Sequence, residues 1–260
     1  MTATNRLQGK NVVITGASAG FGEACAHAFG SLGANLELWA RRGDRLERLK
    51  AGVEDRHRAT VTVRSLDVRD RAAVRAAAAE LRARKWAPDV LVNNAGLAAG
   101  FESIQDGRYE DWDAMIDTNI KGLLNVTREL LPMMIERERG HVINIGSVAG
   151  YMVYPKGNVY SATKFAVRAL TEGMSIDLFG TNIRVSSVDP GAAETEFSTV
   201  RFHGDDARAK KVYEGFEPLS AADVADAVVY VANTPPHVNV AKLVVMPTAQ
   251  RNPYLIHRKT

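Results

Sequence analysis

Short apolar runs alternate with longer helical patterns along the whole chain. Several of these runs are rich in Val and Ile and lack polar alternation, which is typical of strands buried on both faces of a sheet. The candidate strands are residues 12–14, 35–40, 60–65, 90–92, 141–145, 184–188 and 241–245. The helical patterns between them are residues 21–32, 42–50, 71–84, 109–139, 159–178 and 221–233, with Pro132 predicting a kink in the fourth helix.

This alternation of strands and helices predicts right-handed crossovers and a doubly wound, mostly parallel α/β sheet. Neither an internal repeat nor a Pro-rich linker divides the chain, so we expect one domain over residues 1–260. The least regular stretch, about 191–218, precedes the last long helix and is typical of a substrate lid or of a tolerated surface insertion. The tail, about 247–260, runs past the last candidate strand and has no predicted role in the sheet.

Composition narrows the class of protein. The chain is 46% hydrophobic and 24% charged, as globular proteins are, and its formal net charge of +3 without a long basic run does not indicate nucleic-acid binding. Its one cysteine, Cys25, excludes an internal disulfide framework and fits a reducing compartment. The first residues lack a secretory signal, and no apolar stretch approaches the ~20 residues of a membrane helix. We therefore expect a cytoplasmic protein without nucleic-acid or membrane partners.

A glycine-rich segment follows the first candidate strand and leads into a helix. Glycines allow a tight turn and a close approach of the backbone to a ligand, and the helix start offers free N–H groups to a pyrophosphate. Strand before and helix after favour a dinucleotide site over a turn that serves helix–strand packing alone. The candidate cofactor residues of this loop are Gly16, Ser18, Ala19, Gly20, Phe21 and Gly22.

Two arginines follow the second candidate strand. Dinucleotide folds that prefer NAD usually place an acidic residue there, where it binds the ribose 2′-hydroxyl. Arg41 and Arg42 can instead bind a 2′-phosphate through charge-assisted hydrogen bonds. The pair therefore predicts NADP as the cofactor. The alternative is a solvated helix start, and Asp44 lies close by.

Three further residues predict acid–base chemistry. Tyr160 and Lys164 lie four positions apart in a predicted helix, so both project from one face. A phenol has an ordinary pKa of about 10, and a nearby ammonium lowers that value. Ser147 follows a candidate strand at the sheet edge where parallel α/β sheets bind ligands. Taken alone, the Tyr–Lys spacing is typical of an amphipathic helix surface. The six histidines lack metal-ligand spacing, so no metal is expected.

The chain resembles the short-chain dehydrogenase/reductase family over essentially its whole length. The matching motifs are residues 15–22, Asp67-Val68, residues 93–96, Asn119, Ser147, Tyr160 with Lys164, and Pro190-Gly191 with Thr195. The resemblance implies a seven-stranded Rossmann-type sheet and hydride transfer between a nicotinamide cofactor and a carbonyl or alcohol. Two positions depart from the family pattern: Phe21, where Ile is common, and Asp189, where Asn is frequent.

The same resemblance implies a role for each matching residue. Tyr160 is the general acid or base, Ser147 polarises the carbonyl, and Lys164 binds the nicotinamide ribose and lowers the Tyr160 pKa. Asn119 holds a water that relays protons through Lys164. The implied cofactor contacts are Asp67 and Val68 at the adenine, Asn94, Ala95 and Gly96 at the ribose, Thr195 at the carboxamide, and Pro190 and Gly191. From the residues alone, Asp67 is equally suited to capping a helix.

Several stretches resemble one branch of the family, the NADP-dependent 3-hydroxy acid dehydrogenases that oxidise serine and allo-threonine and reduce malonic semialdehyde. They are residues 15–23, 110–122, 157–160, 195–206 and 236–239. A neighbouring branch reduces sulfoacetaldehyde to isethionate, and both substrates are small anions. An anion needs a cation or several donors in its pocket, for which Arg201 is the candidate, with Tyr154 and His203 as helpers.

The resemblance also implies a homo-oligomer, a dimer or a tetramer, in which the tail packs against a neighbouring subunit. A frayed terminus is the alternative for the tail. Two other classes of function stay open on the sequence: a non-catalytic sensor that binds NADP to regulate a partner, and a structural subunit. The presence of both Tyr160 and Lys164 favours an enzyme.

Overall fold

One parallel sheet forms the centre of the molecule, and the computed structural model describes residues 4–259. Its strands are β1 (Asn11–Thr15), β2 (Asn35–Ala40), β3 (Val61–Ser65), β4 (Val90–Asn93), β5 (Gly140–Ile145), β6 (Ile183–Pro190) and β7 (Lys242–Val245). They are ordered β3-β2-β1-β4-β5-β6-β7, and every pairing is parallel. The predicted seven-stranded, doubly wound sheet is confirmed.

Helices cover both faces of this sheet. They are α1 (Gly20–Ser31), α2 (Gly43–His57), α3 (Arg71–Ala83), α4 (Tyr109–Ile116), α5 (Leu123–Ile135), α6 (Asn158–Asp177), α7 (Glu196–Arg201), α8 (Asp206–Lys211) and α9 (Ala221–Ala232). Helices α1, α2 and α9 pack on one face with Val12 and Ile14 of β1. Helices α3 and α5 pack on the other with Val13. Successive side chains of a strand point to opposite faces of the sheet, and helices cover both faces. Val12, Val13 and Ile14 are therefore all fully buried.

The long helix predicted for residues 109–139 ends at Ile135 and is not α-helical throughout. A π-helical turn at Asp117–Gly122 separates α4 from α5, so the interruption lies there, and Pro132 lies inside α5. Gly122 packs so closely that a Cβ would come within 2.6 Å of the Val68 side chain. Helix α2 is also longer than predicted, because Leu46, Leu49 and Val53 extend its buried stripe.

The predicted lid and the tail contact each other. The lid contains the short helices α7 and α8, and Thr195 caps α7 by accepting a hydrogen bond of 3.2 Å from the Phe197 N–H. In the tail, Gln250 and Ile256 form a β-bridge, and the Lys259 N–H donates to the Gly215 carbonyl at 2.7 Å. The described tail residues therefore pack on their own chain rather than fraying.

No helix within residues 4–259 has the length and apolar character needed to cross a membrane.

A buried histidine connects two central strands and makes stability depend on pH. His141 of β5 is 1% exposed, and its Nε2 lies 2.7 Å from the Ser186 Oγ of β6. Burial, with a smaller contribution from the Arg184 charge, lowers the pKa of His141 to about 3. An unfolded chain binds this proton near pH 6.5, so folding becomes less favourable as pH falls from about 6.5 towards 3.

We expect His141 alone to lower the free energy of unfolding by about 2 kcal/mol between pH 7 and pH 5. Urea unfolding at both pH values measures this difference in the wild type, in His141→Gln and in His237→Gln. His237 is exposed, so its substitution should leave the pH dependence unchanged. His141→Gln should remove the share of the pH dependence of the unfolding free energy that His141 causes. An undiminished pH dependence in His141→Gln would contradict the assignment.

Candidate active site

The loop between β1 and α1 is built from close backbone contacts. Gly16 has a φ of 66°, a conformation that favours glycine. A Cβ on Gly22 would lie 2.5 Å from the Gly16 carbonyl oxygen and 2.6 Å from the Asn94 Nδ2. Asn94 in turn donates to the carbonyls of Thr15, at 2.8 Å, and Gly16, at 3.2 Å. The end of β4 therefore fixes the loop, and only glycine fits at its closest approach.

A groove of about 280 Å³ begins at this loop and crosses the carboxyl ends of the strands. It brings together most of the cofactor residues that the sequence predicts. They are Gly16, Ser18, Ala19, Gly20, Phe21, Arg41, Arg42, Asp67, Val68, Asn94, Ala95, Gly96, Tyr160, Lys164 and Thr195. Gly22 is buried behind the loop, and Pro190 and Gly191 line the neighbouring cavity instead. The shape and the glycine-lined loop fit an extended dinucleotide.

The two arginines at the groove have different surroundings. The Arg42 Nε donates to the Ser18 Oγ at 3.2 Å, and its Nη1 pairs with Glu196 at 3.0 Å. Arg45 pairs with the same carboxylate at 2.6 Å. Glu196 belongs to the lid, and its proximity to the arginines could not be predicted because more than a hundred residues separate them. Arg41 is exposed and lines the groove.

Asp67 binds its own loop instead of capping a helix. It accepts hydrogen bonds from the Arg69 N–H and guanidinium at 2.6–3.0 Å. Partial burial opposes ionisation of Asp67, but these bonds and the charges of Arg69 and Arg41 hold its pKa below the ordinary value. The cap of α3 is Asp70, which accepts from the N–H groups of Ala72 and Ala73. The helix-cap alternative for Asp67 is therefore wrong.

Substituting Arg41 tests the preference for NADP. Loss of a cation beside a 2′-phosphate should remove about 1.5–3 kcal/mol of charge-assisted binding. We expect Arg41→Ala to raise the KM for NADPH roughly tenfold or more and to leave the KM for NADH nearly unchanged. Arg48→Ala is the matched control, because Arg48 is exposed on α2 and pairs only with Asp44 among residues 4–259. Equal changes for both cofactors would remove the basis for the NADP assignment.

Ser147, Tyr160 and Lys164 meet where the groove opens into a second cavity. Ser147 follows β5, and Tyr160 and Lys164 lie in the first two turns of α6. The Lys164 Nζ lies 5.9 Å from the Tyr160 ring centroid and donates to the Ile145 carbonyl at 2.8 Å. The Ser147 Oγ accepts from the Ala149 N–H at 3.1 Å. Both Ser147 and Tyr160 line the second cavity, as the acid–base interpretation requires.

The expectation that Lys164 lowers the Tyr160 pKa is not met in this structure. Burial of the phenol, and the neighbouring Tyr154, raise the pKa of Tyr160, while a hydrogen bond with Ser147 and the Arg201 charge oppose that change. Burial also lowers the pKa of Lys164 to about 8. The ammonium lies against a backbone carbonyl beside the ring, so the groups that favour the phenolate here are the serine and the arginine.

The Asn119 side chain forms hydrogen bonds within the protein. Its Nδ2 donates to the Leu97 carbonyl at 2.8 Å and to the Thr163 Oγ1 at 3.0 Å, and its Oδ1 accepts from the Leu97 N–H at 2.8 Å. Both amide protons are thus used inside the protein, so the side chain has no donor left for a water. Asn119 instead joins the loop after β4 to α6, and the π-helical turn brings it into this buried position.

An arginine and aromatic rings form the side of the cavity next to Tyr160. The Arg201 Nη1 donates to the Tyr154 hydroxyl at 2.7 Å, and its Nε donates to the Gly100 carbonyl at 3.2 Å. Its guanidinium carbon lies 4.7 Å from the Phe101 ring centroid and 5.7 Å from that of Tyr160. The guanidinium is therefore fixed beside the phenol, with its Nη2 free of hydrogen bonds to residues 4–259.

His203 does not take part in this arrangement. Its Nε2 lies 3.2 Å from the Asp111 Oδ2, and it is not among the residues that line the cavity. The prediction that His203 helps Arg201 bind an anion is therefore wrong. His203 has a φ of 54° and lies where the chain turns between α7 and α8.

A buried carboxylate lies behind Ser147 and Lys164. Asp189, at the end of β6, is 3% exposed and accepts hydrogen bonds from the Tyr151 hydroxyl at 2.7 Å and the Ser187 Oγ at 2.8 Å. Its charge opposes the loss of the Lys164 proton. Asp189 departs from the family pattern, so the sequence singles it out. Its partner Tyr151 lies in a loop, and no sequence pattern predicts their contact.

Among residues 4–259, no group of three His, Cys, Asp or Glu side chains is arranged to hold a metal ion.

Comparisons with known proteins agree with this geometry. The short chain dehydrogenase family model matches residues 10–206. The chain is 46% identical over 250 residues to the NADP-dependent 3-hydroxy acid dehydrogenase of Escherichia coli strain K12, covering 95% of this chain and 99% of that protein. It is 45% identical over 240 residues to a sulfoacetaldehyde reductase of Chromohalobacter salexigens, covering 92% and 94% of the two.

A solved structure has the same fold over nearly the whole chain. The closed form of a serine dehydrogenase complexed with NADP⁺ aligns with a TM-score of 0.89 and 45% identity, over 96% of this chain and 100% of that one. The glycine loop and the arginines after β2 are features by which dinucleotide-binding folds hold NADP. The chain therefore belongs to the short-chain dehydrogenase family and is an NADP-dependent oxidoreductase that acts on CH–OH groups.

Proposed function

We propose that the enzyme interconverts a small anionic 3-hydroxy acid and the matching carbonyl compound, a semialdehyde for 3-hydroxypropionate or serine and a 3-oxo acid for allo-threonine. The observation that carries this proposal is the position of Arg201, whose guanidinium lies 5.7 Å from the Tyr160 ring centroid in the same cavity. A carboxylate held there would place a carbon two bonds away close to the phenol. Charge-assisted hydrogen bonds in a partly dry pocket are strong enough to orient so small a molecule.

Each side chain has a defined part in this reaction. Bound NADPH supplies the hydride for reduction, and bound NADP⁺ accepts it in the reverse direction. Tyr160 donates a proton to the carbonyl oxygen or takes it from the hydroxyl, and Ser147 bonds to the same oxygen. Lys164 binds the nicotinamide ribose, and the Tyr154 hydroxyl holds Arg201 in place for the carboxylate. We assign Asn119 a positioning part only, since its side chain is bonded within the protein.

Reduction of sulfoacetaldehyde is the second candidate. The sulfonate is also a compact anion, and one guanidinium can bind either group. The similarity to a sulfoacetaldehyde reductase, at 45% identity, supports this candidate almost as well as the similarity to 3-hydroxy acid dehydrogenases. Purified enzyme, NADPH and a panel of malonic semialdehyde, sulfoacetaldehyde and neutral propanal separate the two. If sulfoacetaldehyde is reduced rapidly while malonic semialdehyde is not reduced with NADPH and serine is not oxidised with NADP⁺, the preferred substrate is wrong.

The panel also tests a non-catalytic sensor. A sensor would bind NADPH with a saturable fluorescence signal but would consume it with none of the aldehydes.

Arg201→Gln should separate anionic from neutral substrates. Loss of one charged hydrogen-bonding group costs about 1.5–3 kcal/mol, so we expect kcat/KM for the anionic aldehydes to fall roughly 10- to 150-fold. The value for propanal should change by less than about threefold. Arg208→Gln is the control, because Arg208 is an exposed lid arginine that stacks on Phe202 and does not line the cavity. An equal loss for propanal would mean that Arg201 acts on the fold and not on the anion.

The lid, tail and assembly complete the proposal. Residues 191–218 would close over the substrate. The enzyme would work in the cytoplasm.

The enzyme would form a homo-oligomer, a dimer or a tetramer. Large apolar side chains exposed on α4, α5 and α6 and just beyond α6 support an interface between copies; they are Ile116, Leu124, Phe165, Ile176 and Phe179. Sedimentation velocity measures the mass directly, and a monomer at all concentrations would refute the assembly.

A further inference from the structure

The cavity beside Ser147 and Tyr160 is larger than a three-carbon substrate needs. Its volume is about 500 Å³. A cavity of about 150 Å³ holds a benzene-sized molecule of six heavy atoms, the same number as in malonic semialdehyde. At the same volume per heavy atom, a nicotinamide lying wholly within the cavity would take roughly another 200–250 Å³. On the order of 100 Å³ therefore remains, which is room for about four carbon atoms.

The wall of the remaining space comes from the lid and the tail. The residues are Val212 and Tyr213 after α8, and Pro253, Tyr254 and Ile256 in the tail. This wall is held by hydrogen bonds within the chain. The Gln250 Oε1 accepts from the Ala192 N–H at 2.7 Å, and the Arg258 Nη2 donates to the Val212 carbonyl at 3.0 Å. The cavity is thus bounded by this chain itself.

Two polar side chains of the wall, Tyr213 and Arg258, are hydrogen-bonded within the chain. The Tyr213 hydroxyl lies 2.6 Å from the Ser198 Oγ and donates to the Ala193 carbonyl at 2.8 Å. Arg258 is exposed, donates to lid carbonyls and stacks on the Phe216 ring at 5.1 Å. Among the described residues, no acidic side chain lines the cavity. Apart from the exposed Tyr254, this wall offers mainly apolar surface to a ligand, with Arg201 as the cation beside the phenol.

We propose that the enzyme also oxidises 3-hydroxy acids that carry an apolar substituent of about four carbons on the carbinol carbon, and reduces the matching 3-oxo acids. The carboxylate binds Arg201, the carbinol carbon lies at Tyr160 and Ser147, and the substituent packs between Val212 and Ile256. In the oxidation the carbinol carbon loses a hydride to NADP⁺ and its hydroxyl loses a proton to Tyr160, leaving the 3-oxo acid and NADPH. This inference rests on the function proposed above.

A series of substrates tests it. Kinetics with NADP⁺ compare 3-hydroxypropionate, 3-hydroxybutyrate, 3-hydroxyhexanoate and 3-hydroxyheptanoate. Burial of each added methylene should raise kcat/KM about three- to fourfold until the space is full. A kcat/KM that falls from the first methylene onwards would overturn the proposal.

Two variants test where the apolar substituent binds. Val212→Trp and Ile256→Trp fill the lid side and the tail side of the space, and each should lower kcat/KM for 3-hydroxyheptanoate at least tenfold while changing that for 3-hydroxypropionate less than about twofold. Leu255→Trp is the matched control, since Leu255 is an exposed tail residue that does not line this cavity. Equal losses for short and long acids in both variants would contradict the placement.

Failure of this inference differs from failure of the proposed function. If only the apolar space is wrongly assigned, 3-hydroxypropionate is oxidised and the longer acids are not. If the proposed carboxylate substrates are wrong, none of the acids is oxidised, while the sulfonate sulfoacetaldehyde is reduced with NADPH or neutral 2-hexanol is oxidised with NADP⁺.

Discussion

Tyr160→Phe is expected to lower kcat by about 10²–10⁴-fold while the Kd for NADPH changes less than about twofold. The phenol lies in the cavity that also holds Ser147, and its ring completes the side of the groove that would face the nicotinamide. Phenylalanine keeps that ring and removes only the proton donor. Steady-state kinetics with malonic semialdehyde and a fluorescence titration with NADPH measure the two quantities separately.

Tyr154→Phe is the matched control for this prediction. It removes a hydroxyl from the same cavity, but that hydroxyl holds the Arg201 Nη1 at 2.7 Å and touches no reacting atom in the proposed complex. Its main effect should be a higher KM for anionic substrates, with kcat nearly retained. If Tyr160→Phe kept more than about a tenth of the wild-type kcat, Tyr160 would not be the proton donor.

Ser147→Ala should have the second largest effect, a fall of about 10²–10³-fold in kcat. The hydroxyl is preorganised, since Ser147 has an extended backbone and its Oγ accepts from the Ala149 N–H at 3.1 Å. In the proposed complex, donation of this hydroxyl to the substrate carbonyl oxygen stabilises the charge that develops there during reduction. Alanine removes the donor together with the hydrogen bond from the Ala149 N–H, so circular dichroism should accompany the kinetics to check the fold.

Ser161→Ala provides the comparison. Ser161 follows Tyr160 directly, is fully buried, and its Oγ has no hydrogen-bond partner among residues 4–259. Removal of an unpaired buried hydroxyl should be neutral or slightly stabilising, and kcat should stay within about twofold of the wild type. Similar losses in both serine variants would show that small changes of packing near α6 impair the enzyme, and the role of Ser147 would fail.

Local pattern predicted the sheet well because each central strand is buried on both faces. Runs such as Val12-Val13-Ile14 are apolar throughout, and the observed strand ends lie within two residues of the predicted ones. The loop of Gly16 and Gly22 was equally visible, since only glycine tolerates its close contacts. Both features could be predicted from residues that are neighbours in the sequence, although Asn94 and Ala95 supply some of the loop's close contacts.

Long-range contacts explain what the sequence could not predict. The π-helical turn at Asp117–Gly122 depends on Val68 and on Asn119's bonds to Leu97 and Thr163, which a helical pattern does not contain. The Tyr160 pKa depends on burial and on Arg201, which lies 41 positions away in the chain and is brought near by α7.

Direct transfer of hydride to the substrate is the central claim, and isotope labelling tests it most directly. Purified enzyme is mixed with malonic semialdehyde and NADPH that carries deuterium at both positions of nicotinamide C4, and the product is examined by mass spectrometry and NMR. The account predicts 3-hydroxypropionate with one deuterium on the carbinol carbon and a slower reaction than with unlabelled NADPH. A product without deuterium on that carbon would contradict the account.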